Sequence, residues 1–378
     1  MTIMRTTINN ASPYSVKRLF ALSSLCCGAA AVLLALAACS QDDAPAAGQL
    51  PIRLSSQVQE SSVATTRGFN RINVPNGNNV YVWADMINLS DAKRSVYFNT
   101  WTLKANGEGG LQSDDVKFFP ATNVLDLFAM AGSFSGYSLN DKNALPIGGI
   151  NHTIRTDQRA EGAYYASDLL YTAVLGQEPI ADKVELPLYH MLSKVQVVLI
   201  PGTGNTTDDN YDTDVLKTAT VKLLGVETRA RFTPNKSADV TDQQARAAMV
   251  VAVPKAENET EETKHDISVE TVAAVPSEQG TLPATSFGDA IIVPQTIKAG
   301  KFISVTLADP GTGLTHETFF RFDDDFTFES GKLYRFWLTV DRIGDTYSLT
   351  PTIANWSSDY KMEGDDKVTV TQRPTDLK

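Results

Sequence analysis

Leu333-Tyr334-Arg335-Phe336-Trp337-Leu338-Thr339-Val340 places Tyr334, Phe336, Leu338 and Val340 at every second position. Side chains of a strand point alternately to its two faces, so this spacing gathers four large apolar groups on one side. The segment is the clearest strand of the chain, and it sets the pattern for the rest. Downstream, Ile343-Gly344-Asp345 predicts a turn into residues 346–353 and therefore a hairpin. Upstream, the longest apolar stretch covers residues 184–200, where Val195, Val197 and Leu199 alternate with Gln196, Val198 and Ile200. Further strands are predicted over 219–227, 290–294, 302–307 and 318–322, and nearer the start over 79–84, 95–103, 116–119, 124–131 and 168–174. Pro75-Asn76-Gly77-Asn78 supplies a strong turn before the first of these. In residues 50–54, Leu50, Ile52 and Leu54 alternate with Pro51, Arg53 and Ser55 beyond, a short strand that Pro51 places at a sheet edge. Residues 132–162 lack periodicity and read as a long loop with one short helix, and the polar block 255–265 reads as an exposed loop. No amphipathic helix longer than about three turns is visible. Many short strands without alternating helices predict an all-β chain of two tandem β-sandwiches, residues 68–184 and 185–378.

The N-terminal region is built differently. Arg5, Lys17 and Arg18 precede an apolar run over 19–38, the layout of a secretory signal, residues 1–38. Small side chains at Ala37 and Ala38 let a peptidase reach the backbone, and the residue left in front is Cys39. The run is also long enough to cross a bilayer uncleaved, yet a spanning helix has no need of small residues ending in cysteine. Leu36-Ala37-Ala38-Cys39 resembles a bacterial lipoprotein lipobox. That resemblance implies diacylation of the Cys39 thiol, cleavage between Ala38 and Cys39, and attachment through acyl chains worth about 0.8 kcal/mol per buried methylene. Ser40-Gln41-Asp42-Asp43 is similar to the export signal that sends lipoproteins of Bacteroidetes to the outer face of the cell outer membrane.

Composition narrows the function classes. Removing residues 1–38 takes away Arg5, Lys17 and Arg18 and no acidic residue, so the net charge moves from -11 to -14. Such a chain is repelled by nucleic acid and by anionic lipid. Cys26 and Cys27 lie within the signal and Cys39 takes the lipid, so no intrachain disulfide is expected. Packed cores must supply the stability.

Phe118-Phe119-Pro120-Ala121-Thr122, Leu188-Tyr189-His190-Met191-Leu192-Ser193-Lys194-Val195, Ile292-Val293-Pro294-Gln295 with Gly300, Gly331-Lys332-Leu333-Tyr334 and a late Trp356 follow one another in this order. Together with the lipobox they resemble the fimbrillin family, subunits and accessory lipoproteins of the type V pili of Bacteroidales. The resemblance implies transthyretin-like sandwich domains and a precursor exported as a lipoprotein. A trypsin-like protease then cuts after an arginine, the N-terminal strand leaves, and a strand from the next subunit fills the groove. Carried onto this sequence, the segment 39–67 holds the removable strand, 50–54, and the cut falls between Arg67 and Gly68. The donor strand is 367–371, with Val368 and Val370 as its apolar plugs. The partners implied are other fimbrial subunits in a homo- or heteropolymer, the outer membrane through the lipid, and a host or bacterial surface receptor. The alternatives are an anchor or tip lipoprotein that does not propagate the fibre, and a glycan-binding surface lipoprotein stacking sugar on Trp83, Trp101 or Trp337.

Other chemistry finds no support in the sequence. His152, His190, His265 and His316 are scattered without metal-site spacing. Asp208, Asn210, Asp212 and Asp214 alternate like the opening of a calcium loop, but Thr213 occupies the glycine position and no glutamate closes it. Asp323-Asp324-Asp325 reads as a turn. No phosphate loop, dinucleotide fingerprint or G-x-S-x-G elbow occurs, and neither an enzyme nor a cofactor is expected. Cys39→Ala should abolish incorporation of labelled fatty acid and move the protein out of the membrane fraction; label retained by the variant would refute the lipobox reading.

Overall fold

In the computed structural model the described residues are 50–59, 73–134, 139–140, 142–202, 213–273, 288–308, 313–340, 346–348 and 352–356. The N-terminal half contains β1 (Leu54–Val58), β2 (Asn79–Ile87), β3 (Arg94–Ala105), β4 (Leu111–Gln112), β5 (Val124–Gly132), β6 (Ile150–Thr153), α1 (Glu161–Ser167), β7 (Leu169–Gln177) and β8 (Val184–His190). There follow β9 (Ser193–Pro201), α2 (Thr213–Leu216), β10 (Thr220–Glu227), β11 (Arg229–Phe232), α3 (Gln243–Ala247), β12 (Val250–Ala252), β13 (Lys264–Val269), β14 (Gly288–Ile292), β15 (Gln295–Ile297) and β16 (Gly300–Ala308). The last are β17 (Thr315–Phe322), β18 (Phe326–Phe328), β19 (Lys332–Val340), β20 (Thr346–Ser348) and β21 (Thr352–Asn355). The chain is all-β, and among the described residues no helix exceeds α1 and none is long and apolar enough to cross a membrane.

One sheet runs β1-β8-β7-β5-β2-β3-β4, and a second, β14-β9-β19-β21, faces a five-stranded sheet β13-β10-β16-β17-β20 through the larger core. Smaller sheets β12-β11-β6 and β15-β18 make up the rest among the described residues. Alternation along β19 works as its sequence requires: Tyr334, Phe336, Leu338 and Val340 are all buried in that core. Around them Phe302, Phe322, Phe326 and Phe328 stack and edge against one another, the closest centroids being 4.5 Å apart for Phe322 and Phe326. Aromatic pairs in such arrangements contribute beyond their buried area.

The opposite face of β9 and β19 is buried too, and it mixes a small apolar cluster, Val198, Ile200 and Trp337, with polar side chains. Asp289, Gln196 and Arg335 lie side by side across β14, β9 and β19, where Arg335 Nε donates to Gln196 Oε1 at 2.7 Å. Lys194, fully buried, pairs with Asp289 at 3.6 Å. The Trp356 N–H donates to the Gly331 carbonyl, and its ring stacks on His190 at 3.6 Å.

Three expectations need correction. Residues 116–119 form no ladder, because Phe118 makes a single bridge, to Pro51. The expected hairpin is divided between sheets: β20 pairs in parallel with β17, while β21 returns antiparallel to β19. β8 is hydrogen-bonded into the N-terminal sheet, and the chain passes to the next sheet between His190 and Ser193. The loop expected over 132–162 contains β6, which pairs with β11, and the beginning of α1.

Burial pushes the Tyr334 phenol up to about 12, against which the N–H of Glu329 donating to its oxygen at 2.7 Å acts only in part. A group that keeps its proton longer when folded contributes stability fully present below its unfolded pKa near 10 and lost as pH rises through 12. Stability should therefore fall between about pH 10 and 12, and Tyr334→Phe should flatten that fall in urea melts across the range.

Candidate functional site

The inward row of β1 and its approach is Ile52, Leu54, Ser56 and Val58, all buried, while Arg53 and Gln57 point outward. Ile52, Leu54 and Val58 belong to the smaller core with Trp101, Leu103, Phe119, Leu186 and Leu188. Each such side chain contributes roughly 1.5–3 kcal/mol on burial. Three of them approach the net stability of a whole domain, about 5–15 kcal/mol. This short segment therefore fills a slot that the rest of the domain does not fill for itself.

β1 lies parallel to β8, with Leu54 opposite Val184, Ser56 opposite Leu186 and Val58 opposite Leu188. On that side the Val184 N–H donates to the Arg53 carbonyl at 2.8 Å and the Gln59 N–H to the Leu188 carbonyl at 2.7 Å. The other side is bonded as well. Ile52 N–H donates to Lys117 O at 2.8 Å, Phe119 N–H to Leu50 O at 2.9 Å and Ser56 N–H to Gly109 O at 2.8 Å. The strand expected over 50–54 is thus displaced along the chain: its ladder with β8 is Leu54–Val58, and residues 50–53 continue it between two walls. Pro51 does not mark an open edge, since its missing N–H is tolerated where a single bridge to Phe118 suffices.

The second wall, residues 109–119, is not a regular strand, and side chains of β3 hold it. Trp101 Nε1 donates to the Asp115 carbonyl at 2.9 Å, and the Tyr97 hydroxyl donates to the Phe118 carbonyl at 2.8 Å. Burial pushes the Tyr97 phenol up, so it remains protonated and able to donate. At the top of the wall Asn106 Oδ1 accepts from the N–H groups of Glu108 and Gly110, both at 2.8 Å, which ties residues 106–110 into a tight turn. Gly109 sits there at φ +87°, and a Cβ on it would lie 3.0 Å from the Ser56 carbonyl oxygen. Close passage of β1 requires that glycine.

Cys39 with Ala38, Arg67 with Gly68, and Val368 with Val370 lie outside the described residues. The three tryptophans weighed for sugar stacking are core residues: Trp83, Trp101 and Trp337 are all buried, and Trp83 Nε1 donates to the Asn143 carbonyl at 3.0 Å. His152 and His190 are buried and His190 pairs with Asp168, while no cluster of metal-binding side chains occurs among the described residues. Ser56 and Gly109 were missed by pattern reading. The apolar alternation runs on from Leu54 to Val58, but Ser56 interrupts it.

A family model described as fimbrillin-like matches residues 66–356. No curated protein matches the sequence. A solved structure of a proposed cell adhesion protein from Bacteroides ovatus is 15% identical, with TM-score 0.50, over 82% of this chain and 98% of that one. A second from Bacteroides uniformis is 15% identical, with TM-score 0.47, over 83% and 100%. A fimbrilin from Porphyromonas gingivalis is 8% identical, with TM-score 0.39, over 81% and 97%. At these identities the likeness concerns the fold. Gly109→Ala, strained by about 1–2 kcal/mol at positive φ and pressed against Ser56, should lower the urea midpoint and speed protease attack on β1; an unchanged midpoint would refute the close-passage argument.

Proposed function

The chain belongs to the fimbrillin-like family, whose members are structural, non-enzymatic proteins of surface fimbriae, and from that premise we propose that it is a subunit assembled by strand exchange in the slot now filled by β1. The observation that carries this reading is the two-sided pairing of β1. A strand bonded on both flanks and plugged by Ile52, Leu54 and Val58 leaves, once removed, two rows of unpaired main-chain groups and an open apolar trench. Such a trench accepts an extended peptide, main-chain bonds giving affinity and alternate side chains giving register. While β1 stays in place it keeps the trench from pairing prematurely with other chains.

The family match supports the same division, for it begins at residue 66 and leaves β1 outside. The cut proposed between Arg67 and Gly68 falls beside that limit. The lipid on Cys39 holds the precursor at the outer face of the outer membrane until the cut releases it, and Val368 and Val370 are the proposed plugs of a donor strand. Head-to-tail transfer of a strand is a heterologous contact, which yields open filaments. Adhesion to a host or bacterial surface is the role of the finished fibre, and an anchor or tip position that ends the fibre is the alternative.

Sequencing of surface fimbriae should find Gly68 at the N-terminus of this subunit. Arg67→Ala should leave the protein as an uncut lipoprotein absent from fibres, and normal assembly by that variant would refute the switch.

A further inference from the structure

Ser56 is the odd member of the inward row. Its residue is 3% exposed, it faces Leu186 across the ladder, and its Oγ has no hydrogen-bond partner among the described residues. A buried hydroxyl without a partner loses its water bonds and gains nothing in return. Leu186 stands opposite Ser56, and Trp101, Leu103 and Leu188 belong to the same core, so the slot is lined for apolar groups. On the far side the Ser56 N–H donates to the Gly109 carbonyl at 2.8 Å, which ties the strand in the position where the hydroxyl is buried.

Building on the strand-exchange reading, we infer that the slot is made for a strand carrying aliphatic side chains at the first, second and fourth inward positions and a small apolar one at the third. Ser56 makes the chain's own strand the weaker occupant. Exchange then has a direction: a neighbour's strand with alanine in the place of Ser56 displaces β1 and does not give way to it.

The same requirement selects the neighbour. In the tail Asp366-Lys367-Val368-Thr369-Val370-Thr371-Gln372-Arg373-Pro374, only Val368 and Val370 are aliphatic on the alternating row. Setting them in the first two sites puts Gln372 in the third and Pro374 in the fourth. Setting them in the second and third puts Asp366 in the first and Gln372 in the fourth, and setting them in the last two puts Gly364 and Asp366 in the others. Every register buries an unpaired amide or carboxylate, and such burial is strongly disfavoured. The occupant is therefore a strand of a different subunit, with the pattern aliphatic-x-aliphatic-x-Ala-x-aliphatic, rather than this tail from a second copy.

Two measurements test this. In the uncut full chain, Ser56→Ala should raise the melting midpoint by ~2–4 °C; no rise, or a fall, overturns the claim that the hydroxyl weakens β1. The full chain nicked after Arg67 is then offered fluorescent heptapeptides. These are Ile-Arg-Leu-Ser-Ser-Gln-Val (residues 52–58), the same peptide with Ser56→Ala, and Val-Thr-Val-Thr-Gln-Arg-Pro (residues 368–374). The alanine peptide should bind about fivefold to a hundredfold more tightly than the native one, and the tail peptide should not be captured. Equal binding of the alanine and serine peptides overturns the role of Ser56, and capture of the tail peptide as tightly as the native one overturns the choice of partner. Failure of even the native peptide to enter the nicked protein overturns strand exchange itself.

Discussion

Main-chain hydrogen bonds on both flanks of β1 are the constraint from which the rest of the N-terminal half follows. Val184 N–H, Leu188 O, Gly109 O, Lys117 O and Phe119 N–H all bond to this segment. Buried peptide groups left unpaired are costly, so neither wall is complete without an extended chain between them. The walls differ in kind. β8 is a regular strand anchored to β7, whereas residues 109–119 are carried by side-chain bonds from Trp101 and Tyr97. Side-chain hooks fix the irregular wall in place without its needing a ladder of its own, and they leave its main chain free to bond with β1.

How far the sequence could be read depended on which physical signal each segment carried. Alternation in 333–340 and 195–200 announced β19 and β9, and both are there. The turn Pro75-Asn76-Gly77-Asn78 marked the start of β2 within one residue. What failed was pairing, because periodicity says which face is buried but not which strand lies alongside. The short connection after β19 suggested a hairpin, yet β20 is drawn to β17 in another sheet. Sheet membership of β8 was equally invisible, since residues 184–200 read as one apolar stretch although Met191 and Leu192 carry the chain from one sheet to the other.

Polar residues in buried places defeated pattern reading for a different reason. Gln196 and Lys194 carry no pattern signal for burial, yet both are fully buried, Lys194 against Asp289 and Gln196 against Arg335. A buried ion pair gains stability only when its geometry offsets the lost hydration, and no linear pattern reports that geometry. Ser56 misled in the same way. It stopped the apolar alternation one step short, and the strand was placed four residues early as a result.

The parallel course of β1 along β8 also governs how this joint responds to pulling. Force directed along the strand axis loads the flanking bonds of Arg53, Ser56 and Gln59 together, as in a lap joint, whereas peeling from one end would break them in turn. Resistance of that kind is a matter of rupture rate rather than equilibrium affinity. A strand seated in this geometry is suited to withstand shear.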